Sequence, residues 1–145
     1  MRGIKCCREI KKILSMPEWE DEKYKNYSSA IEFVITNEDG KKIYVVGTIG
    51  MNNEERIISI KNHDVDMAIS DNMIYLGNED VPGVIGAVGA TLGRENINIA
   101  TMNVGRRENS AIMLLTVDSE VGRRALKALR ELSQIKWAHY LDLTI

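Results

Sequence analysis

A carboxylate and a carboxamide flank a glycine-rich segment, NEDVPGVIGAVGATLGRENINIA, at residues 78–100. Asp80 precedes Pro82, which suits the first turn of a helix, so its carboxylate is expected beside the unpaired N–H groups of that helix. Asn98 follows the helix, on a strand that we expect to run beside the strand before the helix. A free amino acid needs an acceptor for its ammonium and donors for its carboxylate, and an amide serves as either. The groups that would supply this set are Asp80, the 83–85 backbone and Asn98.

Simpler interpretations of the same residues stay open. Asp80 can be a helix cap and Asn98 a polar residue at a sheet edge, so spacing alone does not establish amino-acid binding. Phosphate binding is disfavoured, because the segment contains neither the G-x-G-x-x-G motif nor a P-loop with its Lys-Ser or Lys-Thr pair. His63 and His139 stand alone, without an identifiable acidic partner, so we predict no catalytic residues in this chain.

The helix predicted at 82–95 carries regularly spaced glycines, each costing roughly 0.5–1 kcal/mol relative to alanine. Four small residues form a stripe almost without side chains, which we call the small-residue stripe: Gly86, Gly89, Ala90 and Gly93. A neighbouring apolar stripe consists of Ile85, Val88 and Leu92. One stripe should face the domain's own sheet. The other would admit a second backbone, either a strand of the same domain or a helix of another copy.

The elements around this helix predict a ferredoxin-like βαββαβ order over residues 71–145. Apolar patterns predict strands at 73–77, 97–105, 111–117 and 135–143. Segment 111–117, AIMLLTV, is nearly all apolar, as is typical of a central strand. A second helix is predicted after a cap at Asp118 or Ser119, with an inward face of Val121, Ala125, Leu129 and Leu132.

Residues 1–70 predict a small antiparallel sheet with a helix, so the chain is assigned to the α+β class. Amphipathic spacing predicts the helix at 4–16. Two hairpins are predicted, one from 30–36 and 41–50 and the other from 56–60 and 65–70. One helix and four short strands make a thin core, which suggests a fragment or a surface shared with a partner.

Composition excludes several classes of protein. A net charge of −2 and a pI near 5.7 leave no electrostatic footprint for nucleic acid or an anionic membrane. No long apolar run and no signal peptide are found, so a soluble, cytoplasmic protein is predicted. Cys6 and Cys7 are adjacent and have no histidine nearby, so neither a disulfide staple nor a zinc site is expected. We expect no cofactor and no metal.

Residues 80–106, DVPGVIGAVGATLGRENINIATMNVGR, followed by 111–121, AIMLLTVDSEV, resemble the ACT domain. The version they most resemble lies at the C-terminus of bacterial D-3-phosphoglycerate dehydrogenases. Residues 27–67 are similar to the second half of the allosteric substrate-binding domain that precedes ACT in the long form of that enzyme. The resemblance therefore implies a partial allosteric substrate-binding region at 1–70 and an ACT domain at 71–145.

The resemblance implies regulation of an NAD-dependent enzyme of serine biosynthesis, without catalysis by this chain. In such ACT domains two copies pack side by side and L-serine binds between them as a feedback inhibitor, so a homodimer or homotetramer is expected. The residues matched to the serine contacts are Asn78, Asp80 and Asn98, with backbone near Pro82, Gly83, Val84 and Ile85. Asn78 stands where some relatives carry histidine, and the hairpin 105–111 is shorter than the family's usual turn. For the family's anion site, the nearest candidates are Arg56 and Lys61.

Three other functions share features with this sequence. The small-residue stripe alone would support a dimerisation module without a ligand. The β subunit of an iron–sulfur L-serine dehydratase also ends in a similar ACT domain, but it fits residues 27–67 less well and this chain lacks cluster cysteines. RNA-recognition motifs share the βαββαβ order, but 111–117 has no aromatic residue to stack on bases and the charge is acidic, so RNA binding is rejected.

Overall fold

The computed structural model describes Tyr27 and residues 29–36, 39–108 and 110–144. The predicted helix at 4–16 and the cysteine pair lie outside these residues. The described elements, in chain order, are β1 (Ile31–Thr36), β2 (Lys42–Ile49), β3 (Glu55–Ile60), β4 (His63–Ala68), β5 (Asn72–Glu79), α1 (Val84–Arg94), β6 (Ile99–Arg107), β7 (Ser110–Val117), α2 (Arg123–Arg130) and β8 (Ile135–Asp142). They form two antiparallel four-stranded sheets, which confirms the predicted α+β class.

The first sheet has the order β1-β2-β3-β4 and consists of the two predicted hairpins. Lys61 and Asn62 connect β3 to β4 with φ angles of 49° and 63°. Two successive residues with positive φ make a tight two-residue turn, whose twist matches the strands on either side. The fourth strand therefore begins at His63, two residues earlier than the apolar pattern indicated.

The second sheet has the order β6-β7-β5-β8, the ferredoxin-like arrangement predicted for 71–145. Strand β7 is central, and every residue in it after Ser110 is buried, as its apolar sequence predicted. The expectation that the strand after the helix runs beside the strand before it is wrong. The crossover through α1 leaves a gap between β5 and β6, and β7 fills it.

Each face of the second sheet contributes to an apolar cluster. Helices α1 and α2 cover one face, where the buried side chains include Ile74, Leu76, Val88, Leu92, Met113, Leu115 and Leu129. The first sheet covers the other face, with Ile60, Val65 and Met67 packed against Met73, Ile112 and Leu114. The molecule is thus built in three layers, and none of its described helices is long and apolar enough to cross a membrane.

Two local predictions about the helices are wrong. Ile85 is 49% exposed, because the inward face of α1 consists of Val84, Val88, Thr91 and Leu92 instead. Helix α2 starts at Arg123 with Gly122 as its N-cap and no side-chain cap bond. Asp118 does not cap it, because the Asp118 carboxylate accepts a hydrogen bond from Asn98 Nδ2 at 2.6 Å.

Gly105 lies where β6 passes close to β4. A β-carbon on Gly105 would lie 2.7 Å from the backbone oxygen of Asp64 and 3.1 Å from Cβ of His63. Because the nearest atom belongs to the backbone, we expect Gly105→Ala to lower the free energy of unfolding by about 1–3 kcal/mol, measured by urea denaturation.

Gly47→Ala provides a graded comparison, since Gly47 is also a strand glycine. Its added β-carbon would lie 3.3 Å from the Arg56 oxygen, which a small shift relieves. We expect a change in unfolding free energy below about 1 kcal/mol. An equal or larger loss from Gly47→Ala would contradict the tight packing of the sheets at Gly105.

Candidate functional site

A cavity of about 330 Å³ opens at the N-terminus of α1, and we call it the α1 cavity. Ligand pockets in proteins range from about 300 to 1,000 Å³, so this size suits a small metabolite. Its lining residues are Asp80, Val81, Pro82, Gly83, Val84, Ile85 and Arg106. The structure therefore brings five of the residues predicted for ligand binding to one place, and adds Arg106.

Gly83 determines how the helix meets the cavity. Its φ of 89° lies in the left-handed region, which explains the choice of glycine. As the N-cap it supplies no side-chain acceptor, and Ala87 N–H bonds to its carbonyl at 2.9 Å. The N–H groups at 84–86 precede that bond and have no partner within the helical ladder. Such groups, together with the positive end of the helix dipole, favour an anion such as a carboxylate.

Asp80 and Arg106 place opposite charges on the cavity wall. Arg106 Nε lies 3.3 Å from Asp80 Oδ1, and the Asp80 side chain is the more buried of the two, at 32% exposed against 68%. Asp80 is positioned by the loop after β5, and Arg106 by the end of β6. An acceptor, a cationic donor and backbone N–H groups outside the helical ladder thus line one small cavity, and this is a set of groups able to bind a zwitterion.

Sequence reasoning missed Arg106, because it reaches the cavity through the register of β6 and not through a local motif. Val104 packs with the cluster beneath the helices, and side chains alternate along a strand. Arg106 therefore lies on the helix-covered face, and its register partner is Ala111. Asn78 on β5 pairs with the same Ala111, which places the end of β6 level with the start of the Asp80 loop.

Asn78 lies close to the cavity in sequence, but its side chain is not part of the lining. The residue is 3% exposed, and its Nδ2 donates to the Glu79 carbonyl at 2.6 Å. Its Oδ1 is buried and has no hydrogen-bond partner among the described residues. Asn78 is thus placed to support the loop that carries Asp80.

Asn98 lies at the opposite end of α1 from Asp80. The helix has 11 residues, which corresponds to about 16 Å along its axis. A single amino acid cannot span that distance, and Asn98 Nδ2 is bonded to Asp118 at 2.6 Å. Within one chain, therefore, the predicted carboxylate and carboxamide do not meet.

The small-residue stripe is uncovered in the described part of the chain. A β-carbon on Gly86, Gly89 or Gly93 would meet nothing within 4 Å. Ala90 is exposed beside them, and Ile85 and Val81 at the rim of the cavity are 49% and 43% exposed. Among the described residues, no strand approaches the stripe.

Arg56 and Lys61, the anion-site candidates, lie at opposite ends of β3. Arg56 is paired with Glu54 at 2.6 Å and with Asp66 at 2.7 Å, and hydrogen bonds to these carboxylates raise its pKa. Lys61 lies 5.1 Å from the centre of the Trp137 ring, and burial, followed by repulsion from Lys41, lowers its pKa. The structure therefore does not join them into one anion site. Among the described residues, no group of three acidic, histidine or cysteine side chains could hold a metal ion.

Comparison with known families identifies the class of domain that this fold and cavity define. Residues 72–134 match the family described as the ACT domain, so this part of the chain is an ACT domain. The match begins with β5 and includes the cavity, α1 and α2.

The chain is similar over most of its length to D-3-phosphoglycerate dehydrogenases. It is 36% identical over 138 residues to that of Archaeoglobus fulgidus, 34% over 119 residues to that of Bacillus subtilis, and 36% over 119 residues to that of Methanocaldococcus jannaschii. These alignments cover 92%, 81% and 81% of this chain but only 26%, 22% and 22% of the relatives. The chain thus spans about a quarter of their length, and the resemblance to their regulatory region is confirmed.

Proposed function

We propose that this chain is a regulatory module that senses L-serine for a D-3-phosphoglycerate dehydrogenase, with the ligand bound in the α1 cavity. The observation that supports the proposal is that the Asp80 carboxylate and the N-terminal N–H groups of α1 meet at one small cavity. The carboxylate would accept the ligand's ammonium, and the N–H groups would bind its carboxylate. The module would regulate an NAD-dependent enzyme of serine biosynthesis and perform no chemistry itself.

The position of Asn98 supports a site shared by two copies. We place the two-fold axis of the dimer perpendicular to α1 at the small-residue stripe, so that the two α1 helices run antiparallel. The N-terminus of one helix then lies beside the C-terminus of the other. Asp80 of one protomer thus lies near Asn98 of the other, and the symmetry gives each dimer two such sites. The hydrogen bond from Asn98 Nδ2 to Asp118 would orient that carboxamide so that its oxygen accepts from the ligand.

The expected affinity for serine and the coupling free energy needed for regulation both suit a metabolite sensor. Even the best small ligands bind with at most about −1.5 kcal/mol per non-hydrogen atom, which limits the affinity of a molecule as small as serine. Coupling to a distant active site requires only about 1–3 kcal/mol. That amount is available if the ligand stabilises one arrangement of the paired ACT domains.

Titration of the purified chain with L-serine, with its mass monitored, tests the proposal. We expect saturable heat at one site per chain and a mass twice the monomer's 16.3 kDa. Glycine, D-serine and L-alanine serve as comparison ligands. A dimer that gives no heat with any amino acid would support the dimerisation module without a ligand, and a monomer that binds serine would contradict the shared site.

A further inference from the structure

We propose that Arg106 binds the carboxylate of the ligand and that the Asp80–Arg106 ion pair opens to receive it, so that each partner takes one charge of the amino acid. This inference rests on the proposed function and specifies its ligand class, which is α-amino acids with a free ammonium and a free carboxylate. In the structure the two side chains pair with each other, Arg106 Nε lying 3.3 Å from Asp80 Oδ1. The ligand's ammonium would replace Arg106 beside Asp80, and its carboxylate would replace Asp80 beside Arg106.

The position of Arg106 on β6 allows its side chain to contact a ligand in the α1 cavity. Its register partner Ala111 belongs to the same face of β7 as Met113 and Leu115, which pack beneath the helices. Arg106 therefore extends on the side of the sheet where α1 begins, and it lines the cavity. The adjacent Arg107 pairs with Ser110 and lies on the opposite face of β6.

The exposure of the two side chains indicates that the Asp80–Arg106 ion pair can open. The Arg106 side chain is 68% exposed and Asp80 is 32% exposed, with Nε 3.3 Å from Oδ1. An exposed ion pair contributes little to stability, so opening it costs little. A ligand carboxylate can instead form two parallel hydrogen bonds with the guanidinium, which is the stronger geometry. Exchange is therefore favourable when both ligand charges are present.

The same arrangement predicts which molecules are rejected. Ethanolamine and L-serinamide carry the ammonium but no carboxylate, so either would separate Arg106 from Asp80 without offering a new anion. Because neither molecule can form the charge-assisted hydrogen bonds between a ligand carboxylate and the guanidinium, we expect both to bind at least about tenfold more weakly than L-serine. Arg106 is then a residue that determines specificity.

The test compares wild type with Arg106→Gln by calorimetry against L-serine, L-serinamide and ethanolamine. We expect the Kd for L-serine to rise about tenfold or more and the preference for L-serine over L-serinamide to shrink, with the mass of the assembly unchanged. Arg106→Lys keeps the charge but loses the bidentate geometry, so it should give an intermediate Kd. Arg107→Gln is the matched control, since it removes the same charge one residue along, and its Kd should stay within about twofold of wild type.

The outcomes separate this inference from the proposed function. Wild type that binds no amino acid overturns both. Wild type that binds L-serine while Arg106→Gln binds it equally well, with unchanged ligand preference, overturns the role of Arg106 alone. An equal loss in Arg107→Gln would assign the effect to net charge and would also overturn it. Thermal unfolding of each variant shows that the compared proteins are folded.

Discussion

We expect Asp80→Asn to lose most of the proposed affinity for L-serine and to keep its fold. The substitution preserves the shape of the side chain but removes the anion that accepts the ligand's ammonium. Removing one partner of a desolvated charge pair costs about 2–5 kcal/mol, and because Asp80 is 32% exposed we expect the low end, about 2 kcal/mol or roughly a 30-fold rise in Kd. Calorimetry with L-serine measures the Kd.

Stability should hardly change, because the ion pair of Asp80 with the exposed Arg106 contributes at most about 1 kcal/mol. Glu79→Gln is the control for this variant. It removes a neighbouring carboxylate that is absent from the cavity lining, and the Glu79 backbone N–H keeps its bond to the Gln134 carbonyl. An unchanged Kd in Asp80→Asn would place the ligand elsewhere.

The fold could be predicted where the signals are local. The apolar run of β7 is buried along almost all of its length, and both hairpins of the first sheet form. Predictions were wrong where a distant group competes with a local one. Asp118 has the sequence character of a helix cap, but its carboxylate bonds to Asn98, twenty residues away, and α2 starts only at Arg123.

The residues of the candidate site could likewise be predicted where they are close in sequence, and not where the fold brings them together. Asp80 and residues 82–85 are contiguous, so one loop entering one helix places them together, and the sequence was sufficient to group them. Arg106 joins them only because β6 ends level with that loop, which depends on sheet order and register. Asn98 was grouped with Asp80 on the expectation that their strands are neighbours. Because the two residues lie at opposite ends of α1, about 16 Å apart along its axis, one ligand could contact both only if a second copy supplied one of them.

Gly89→Leu is expected to convert the proposed dimer to a folded monomer. Gly89 lies in the middle of the small-residue stripe, and a β-carbon there would meet no atom of the described residues within 4 Å. Leucine is the better helix former by roughly 0.8–1 kcal/mol, so the isolated chain should become slightly more stable. At an interface, overpacking costs about 1–3 kcal/mol, and two-fold symmetry introduces the side chain twice. The dimer Kd should therefore rise by at least about 30-fold, measured by analytical ultracentrifugation.

Lys127→Leu controls for an added surface leucine, because Lys127 is 78% exposed on α2 and outside the stripe, and this variant should remain a dimer.

Measuring L-serine binding by Gly89→Leu tests whether the ligand site depends on the dimer. If Asn98 reaches the cavity from the partner, Gly89→Leu must weaken serine binding together with dimerisation, although its substitution does not touch the cavity lining. A monomeric variant with wild-type affinity would show that each chain binds alone. A variant that remains dimeric would move the interface away from α1, and one that unfolds would show that the chain itself covers the stripe.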